Sequence, residues 1–142
     1  MAITFHPKQG SILMCDFSDG FMPPEMVKRR PVIVISPVIQ ARPGLCTVVC
    51  LSTTEPEPVM PYHLPIILPE PLPPNWSANN VWVKGDMIYS VSFKRLDFAR
   101  LGKDRSGKRL YYKGLLSHAT LQAVQRCVLH GFGLATLTKH LR

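Results

Sequence analysis

The distribution of proline is the feature that most constrains how this chain folds. All 14 prolines of the 142-residue sequence lie between Pro7 and Pro74, and residues 75–142 contain none. A proline inside a helix costs about 3 kcal/mol, because its ring clashes with the preceding turn and it lacks an N–H group. Long helices are therefore excluded before residue 75 and remain possible only after it.

Short runs of β-forming residues lie between the prolines and are separated by turn-forming groups. Such spacing is typical of a small barrel or sandwich. The predicted strands of this region are Ile12–Phe17, Val32–Ser36, Leu45–Thr53 and Leu64–Leu68. The proline-dense segment Pro56–Pro74 is predicted to hold at most an edge strand, within an extended surface loop.

The longest strand-like stretch follows at Val81–Phe93. Because the side chains of a strand alternate between its two faces, Trp82, Lys84, Asp86 and Ile88 are predicted to share one face. The other face is predicted to carry Val81, Val83, Gly85 and Met87.

Helices are predicted only near the C-terminus. Ser117 is expected to cap a helix that ends near His130, because Gly131 can terminate it. A second short helix is predicted over Leu134–Leu141. Residues 1–142 are predicted to form a single domain with a β core, a basic connector (Lys94–Lys113) and C-terminal helices.

Charge divides along the chain close to the point where the prolines end. Residues 1–83 carry five basic and six acidic side chains, whereas residues 84–142 carry twelve basic and three acidic ones. A half with a net charge of +9 indicates a polyanionic partner: nucleic acid, an acidic protein segment or a membrane surface. No apolar run reaches the roughly 20 residues of a membrane span, and the first residues lack the pattern of a secretory signal.

The cysteines and histidines do not have the spacing of a metal site. Cys46 and Cys50 would share a strand face with Cα atoms about 13 Å apart, too far for a disulfide. Motifs for nucleotide binding and for a hydrolase nucleophile are also absent from the sequence. We therefore expect free cysteines, no metal, no cofactor, no membrane association and a reduced, cytoplasmic compartment.

Three polar clusters adjoin the predicted strands. In the first, Lys28-Arg29-Arg30, Pro31 starts a strand and would fix Arg30 at its entrance. A guanidinium fixed there presents a planar fork of donors that suits phosphate. The alternative is a solvated basic turn that keeps the strand end soluble.

The second cluster, Ser52-Thr53-Thr54, closes a strand with hydroxyls that could hold a phosphate oxygen or simply form a turn. In the third, Lys84 and Asp86 would have Cα atoms about 6.5 Å apart, enough to hold a phosphodiester between an acid and a base. Their alternative is an ordinary surface ion pair. Trp82 could stack a base or belong to the core.

In their order and spacing these motifs resemble the MazF/PemK toxin family. The matching residues are Gly10–Leu13, Asp16-Phe17, Gly20, Arg30–Ser36, Gly44, Val48–Thr54, Lys84–Ile88 and Arg95-Leu96. The resemblance extends over most of residues 9–141. It implies a mainly β fold with C-terminal helices, namely the small SH3-like β-barrel of MazF, PemK and CcdB, usually as a homodimer.

The same resemblance implies the toxin of a type II toxin–antitoxin system, a metal-independent, sequence-specific endoribonuclease that cuts single-stranded RNA such as mRNA. In that family the 2′-hydroxyl attacks its own phosphodiester and leaves a 2′,3′-cyclic phosphate and a 5′-hydroxyl, and a cognate antitoxin with an acidic segment holds the toxin in check. The catalytic candidates carried over by motif are Arg30, Thr53, Lys84 and Asp86. The candidates for RNA contact are Lys28, Arg29, Thr54, Trp82 and Arg95, with Thr54 also an alternative to Thr53.

The sequence departs from the PemK pattern at Lys84, where PemK has arginine, and at Phe21, where PemK has a histidine. Its Gly20–Arg30 loop is also longer than in those relatives. Two other functions stay open on the sequence alone: a non-catalytic toxin that binds DNA gyrase, as CcdB does, and an inactive nucleic-acid-binding module.

Overall fold

The computed structural model describes residues 2–72 and 79–141; Pro73 and Pro74, at the end of the predicted surface loop, lie outside them. The strands are β1 (Ile12–Asp16), β2 (Arg29–Val34), β3 (Leu45–Ser52), β4 (His63–Ile67), β5 (Asn80–Ser92), β6 (Leu96–Asp97), β7 (Arg100–Lys103) and β8 (Arg109–Tyr111). One α-helix, α1 (His118–Gly131), and two 3-10 helices, Phe93–Arg95 and Ala135–His140, complete the described elements.

Six of the strands form one antiparallel sheet in the order β4-β5-β3-β2-β1-β6. The mainly β architecture with a C-terminal helix agrees with the prediction. Strands β4 and β6 form the two edges, so the sheet is open within the described residues and the closed SH3-like barrel is not confirmed.

The predicted strands are present, with differences at their ends. Strand β2 begins at Arg29 rather than Val32, because Pro31 lies inside the strand and pairs with Met14 of β1. The pairing of β2 with β3 spans only Val32–Val34, so Pro31 lies where no N–H is needed towards β3. In the proline-dense segment, β4 is an edge strand, as predicted.

The sheet buries side chains on both faces, which explains why its inner strands are almost continuously apolar. Ile12 and Met14 of β1 face α1, whereas Leu13 and Cys15 face the opposite side. The helix-side core includes Ile12, Met14, Ile33, Val49, Leu51, Val83, Val124 and Cys127. The second core, on the other face, includes Leu13, Cys15, Phe17, Val32, Val34, Val48, Cys50, Val91 and Leu96.

Helix α1 begins where the sequence predicts. The Ser117 hydroxyl accepts a hydrogen bond from the Thr120 N–H at 3.2 Å and so caps the helix. The predicted second helix is a 3-10 helix with no buried side chain, and it therefore lacks the packing that would stabilise an α-helix. No helix among the described residues has the length and apolar character to cross a membrane.

The basic connector is more ordered than the sequence suggests. After β6, strands β7 and β8 form a separate two-stranded sheet, the basic hairpin. The Asp104 carboxylate closes its turn by accepting hydrogen bonds from the backbone N–H groups of Ser106 and Lys108, each at 2.9 Å. The strands of this hairpin are short and polar, so periodicity could not reveal them.

The four cysteines are free and buried, as expected from their spacing. Burial raises the pKa of the Cys50 thiol from 9.0 to about 12. Burial likewise raises the pKa of Cys15 to about 12, with a smaller opposing effect from Arg95. Both thiols therefore stay protonated in the folded protein at pH values where they would ionise in the unfolded chain.

This difference predicts that the free energy of unfolding falls as the pH rises from about 9 towards 12. Within that window only the unfolded state releases the thiol protons, which costs up to about 1.4 kcal/mol per pH unit for each thiol. Urea unfolding at a series of alkaline pH values measures the effect. Cys50→Ala should make the decline shallower; a slope identical to that of the native protein would contradict the prediction.

Candidate active site

Strand register brings two of the predicted cations to one face of the sheet. Lys84 of β5 pairs with Cys50 of β3, and Cys50 pairs with Val32 of β2. Arg30 lies two residues before Val32 and therefore points to the same face. From strand spacing and rise, the Cα atoms of Arg30 and Lys84 are roughly 12 Å apart, within the combined reach of two long side chains.

The buried thiol of Cys50 lies at the centre of this group. Its raised pKa is due mainly to burial, with a smaller increase from the Cys15 thiol, opposing effects from Lys84 and Arg30, and a small increase from Asp86. Strand register places Arg30 and Lys84 on the face of Cys50. The Nε atom of Arg30 is itself buried, which restricts the orientation of the guanidinium.

Strand β5 contains a bulge at the point where Asp86 lies. Val49 of β3 pairs with Ile88, yet the next residue, Cys50, pairs with Lys84. Residues 85–87 are therefore additional to the regular pairing and bend the strand. The bulge displays Asp86, an exposed side chain, beside Lys84.

The inserted residues invert the side-chain alternation of β5. Ile88 packs against the helix-side core, so the prediction that it shares a face with Trp82 and Lys84 is wrong. Met87 packs against the second core, on the face of Lys84, so the prediction that it shares a face with Val81 and Val83 is also wrong. Tyr89 packs against the second core as well. An uninterrupted two-residue period would place Tyr89 on the face opposite Lys84, so the sequence pattern does not reveal it as a neighbour of the site.

Glycine at position 85 allows α1 to press directly on the bulge. A Cβ atom on Gly85 would lie 2.6 Å from the Cys127 carbonyl oxygen and 2.7 Å from that of Tyr62. The Gly85 N–H donates to the Tyr62 carbonyl at 2.7 Å, and the Cys127 thiol donates to the same oxygen at 2.6 Å. On the helix, a Cβ on Gly131 would lie 2.5 Å from the Gly85 oxygen. A glycine inside a strand was thus the available signal for this bulge.

The long loop between β1 and β2 is anchored by aromatic rings. Phe21 packs edge-on against Phe17, with ring centroids 5.1 Å apart, and against Tyr89, with centroids 5.6 Å apart. The Tyr89 hydroxyl accepts a hydrogen bond from the Met26 N–H at 2.9 Å. Phe21, which occupies the position of the PemK histidine, therefore anchors the loop to the sheet here.

Arg95, a predicted RNA contact, is engaged in the same anchoring. Its Nη1 donates to the Asp16 carbonyl at 3.0 Å, and its guanidinium lies 4.8 Å from the centroid of the Phe21 ring. These contacts tie the end of β1 to the loop and leave Arg95 half-buried. They assign it a positioning role, and RNA contact by Arg95 stays a prediction.

The two residues before Arg30 are exposed at the mouth of the site. Arg29 pairs with Asp16 across the β1–β2 ladder, and Lys28 adopts a left-handed conformation with φ of 72°. Hydrogen bonds from the hydroxyl and backbone N–H of Ser18 hold the pKa of Asp16 below its usual value, with smaller effects from Arg29 and Arg95. Asp16 is therefore an anion that balances part of this basic cluster.

The hydroxyl residues at the end of β3 lie in two different places. Ser52 pairs with Trp82 and lies on the face of Lys84, and its hydroxyl accepts a hydrogen bond from the Thr54 N–H at 3.1 Å. Thr53 instead lines a groove of about 800 Å³ between β4, β5 and α1, together with Trp82. The structure thus places Arg30 and Lys84 on one face of the sheet, Asp86 in the bulge after Lys84, and Thr53 in a groove that α1 borders.

The tight contact at Gly85 predicts that Gly85→Ala lowers the thermal midpoint of unfolding. The added methyl group would meet backbone carbonyls that cannot move independently, and such overpacking typically costs about 1–3 kcal/mol. Thr136→Ala, at an exposed position away from the sheet, is the control and should change the midpoint much less. Equal midpoints for the two variants would show that the helix does not press on the bulge as described.

Comparison with known protein sequences identifies the family of this chain. Residues 8–132 match the family described as PemK-like, MazF-like toxin of type II toxin-antitoxin system. The protein YifN of Escherichia coli (strain K12) is 30% identical over 164 aligned positions, which cover 96% of this chain and 99% of YifN. The chain belongs to the PemK-like, MazF-like toxin family.

Solved structures show the same fold at lower identity. An endoribonuclease in complex with its cognate antitoxin, from Mycobacterial species, has a TM-score of 0.58 and 20% identity, with 91% of this chain and 97% of that chain covered. MazF from Deinococcus radiodurans has a TM-score of 0.58 and 19% identity, with 91% and 98% covered. The backbone arrangement is therefore MazF-like.

Proposed function

We propose that this protein is the toxin of a type II toxin–antitoxin system and acts as a sequence-specific endoribonuclease on single-stranded RNA. Membership of the PemK-like, MazF-like family supports the class of activity. The observation that carries the proposal is the placement of Arg30 and Lys84 on one sheet face by strand register, with exposed Asp86 in the bulge that directly follows Lys84. Two cations and a neighbouring carboxylate suit a phosphodiester and its adjacent hydroxyl.

In the proposed reaction the 2′-hydroxyl oxygen forms a bond to phosphorus while the bond from phosphorus to the 5′-oxygen breaks. Asp86 accepts the proton of the 2′-hydroxyl, and Lys84 donates a proton to the leaving 5′-oxygen. Arg30 stabilises the charge that develops on the phosphorane. The products are a 2′,3′-cyclic phosphate and a 5′-hydroxyl.

The remaining predicted residues would bind the substrate on either side of this centre. Thr53, or Thr54 as the alternative hydroxyl, would orient the phosphate from the end of β3. Trp82 borders the groove between β4, β5 and α1 and is half-buried, which suits stacking of a base on its exposed part. Lys28 and Arg29, exposed at the mouth of the site, would contact neighbouring phosphates.

The proposal includes metal independence, a cognate antitoxin, a homodimer and a cytoplasmic location. The cations of the chain itself would supply the charge stabilisation that a metal supplies in other nucleases. An antitoxin with an acidic segment would complement the net +9 of residues 84–142. A structural relative has been solved in complex with its cognate antitoxin, which supports a partner of this kind.

We predict that Arg30→Ala and Asp86→Asn each reduce RNA cleavage about 100-fold or more. The first removes a donor that stabilises the transition state, and the second removes the general base. The assay follows 5′-hydroxyl fragments from single-stranded RNA incubated with pure protein and EDTA. Arg126→Ala, at an exposed position of α1, removes one positive charge elsewhere and should retain cleavage.

The same assay separates the competing functions. Undiminished cleavage by Arg30→Ala would remove the proposed mechanism. Gyrase poisoning without RNA fragments would indicate the CcdB-like alternative, and salt-sensitive RNA binding with neither activity would indicate an inactive binding module. Parallel Ser52→Ala, Thr53→Ala and Thr54→Ala variants would identify the hydroxyl that orients the phosphate.

A further inference from the structure

We propose that the basic hairpin and the aromatic groove at its base form a second contact surface for single-stranded RNA, outside the candidate active site. The choice of RNA over other polyanions rests on the proposed function. The evidence for the surface itself is the charge, exposure and aromatic contacts of residues that are not among the catalytic candidates.

The basic hairpin concentrates positive charge on exposed backbone. Every residue of the 100–110 segment is exposed. The basic residues of the hairpin and its base are Arg100, Lys103, Arg105, Lys108, Arg109 and Lys113. The one acidic residue among positions 98–113 is Asp104, whose carboxylate accepts hydrogen bonds from the turn that it closes. The hairpin therefore presents a strongly positive surface suited to a phosphate backbone.

An apolar groove of about 480 Å³ lies at the base of the hairpin. Phe5 and Phe98 line it together with Lys8 and Lys113. The ring centroids of Phe5 and Phe98 are 6.4 Å apart, and those of Phe98 and Tyr111 are also 6.4 Å apart. Phe5 is 56% exposed. A series of aromatic rings bordered by lysines is the arrangement that binds single strands, because bases stack on the rings while the cations pair with phosphates.

The groove and the candidate active site lie on the same face of the sheet. Phe98 packs against the second core, the face to which Arg30 and Lys84 also point. Phe98 directly follows edge strand β6. Strand β6 is four strand spacings from β5, which is roughly 19 Å across the sheet at about 4.8 Å per spacing. A single strand with its scissile phosphate at Arg30 could therefore extend across the sheet to the hairpin.

The test measures binding and cleavage separately. The binding probe is an uncleavable 2′-O-methyl oligoribonucleotide, titrated at several salt concentrations. The triple variant Arg105→Gln/Lys108→Gln/Arg109→Gln should bind it more weakly, with a salt slope shallower by about two, since each phosphate contact on a single strand contributes about 0.7. Phe5→Ala should raise its Kd about fivefold or more through lost stacking. Both variants should cleave a short substrate that spans only the active site with the kcat of the wild-type protein.

Matched controls remove three positive charges, or one phenylalanine ring, from parts of the surface outside the hairpin and its groove. They are Arg42→Gln/Arg126→Gln/Lys139→Gln, all at exposed positions, and Phe132→Ala, whose side chain is 62% exposed. Phe5→Leu retains apolar packing while removing the ring, so it serves if Phe5→Ala fails to fold.

The outcomes distinguish this proposal from the proposed function. If wild-type protein binds the probe through the hairpin but cleaves no RNA, the proposed function is wrong and the second surface is supported. If wild-type protein cleaves RNA while the hairpin and control triples bind the probe equally, the second surface is overturned. Binding of poly-glutamate, a model of an acidic protein segment, is measured in the same way. If the hairpin triple variant loses binding to poly-glutamate but not to the RNA probe, the second RNA surface is overturned in favour of an acidic protein partner.

Discussion

The candidate site depends on one close contact between main chains, where α1 meets β5 at Gly85. Two glycines, one on each element, let the backbones approach until any side chain would collide with a carbonyl. The buried side chains of α1, Val124 and Cys127, hold the helix against the sheet. The bulge that contains Asp86 is thus held by α1, which packs on the sheet face opposite Lys84.

Much of the fold could be predicted from local sequence because the responsible forces are local. Proline excluded helices from the first half, and Ser117 marked the start of α1. Pro31 predicted Arg30 at the entrance of a strand, which in the structure already begins at Arg29. The rest required tertiary information. The bulge exists because a helix distant in sequence presses on Gly85, and the pairing of strand edges is likewise a long-range property.

The same distinction applies to the site. Arg30, Lys84 and Asp86 were predicted from motifs, and strand register places the first two on one face of the sheet. Thr53 follows the last residue of β3 and lines the groove that α1 borders. Phe21 stands where PemK has a histidine, and in this chain its ring packs the long loop against the sheet.

The basic hairpin has a consequence for how such a chain can diversify. Its two strands pair with each other in a sheet of their own, its turn is closed by its own Asp104, and its residues 100–110 are exposed. Insertions, deletions or charge changes there would leave both cores and the Gly85 contact intact. Sequence changes in the hairpin could therefore alter the binding properties of the protein during evolution, while the sheet that carries the candidate site keeps its structure.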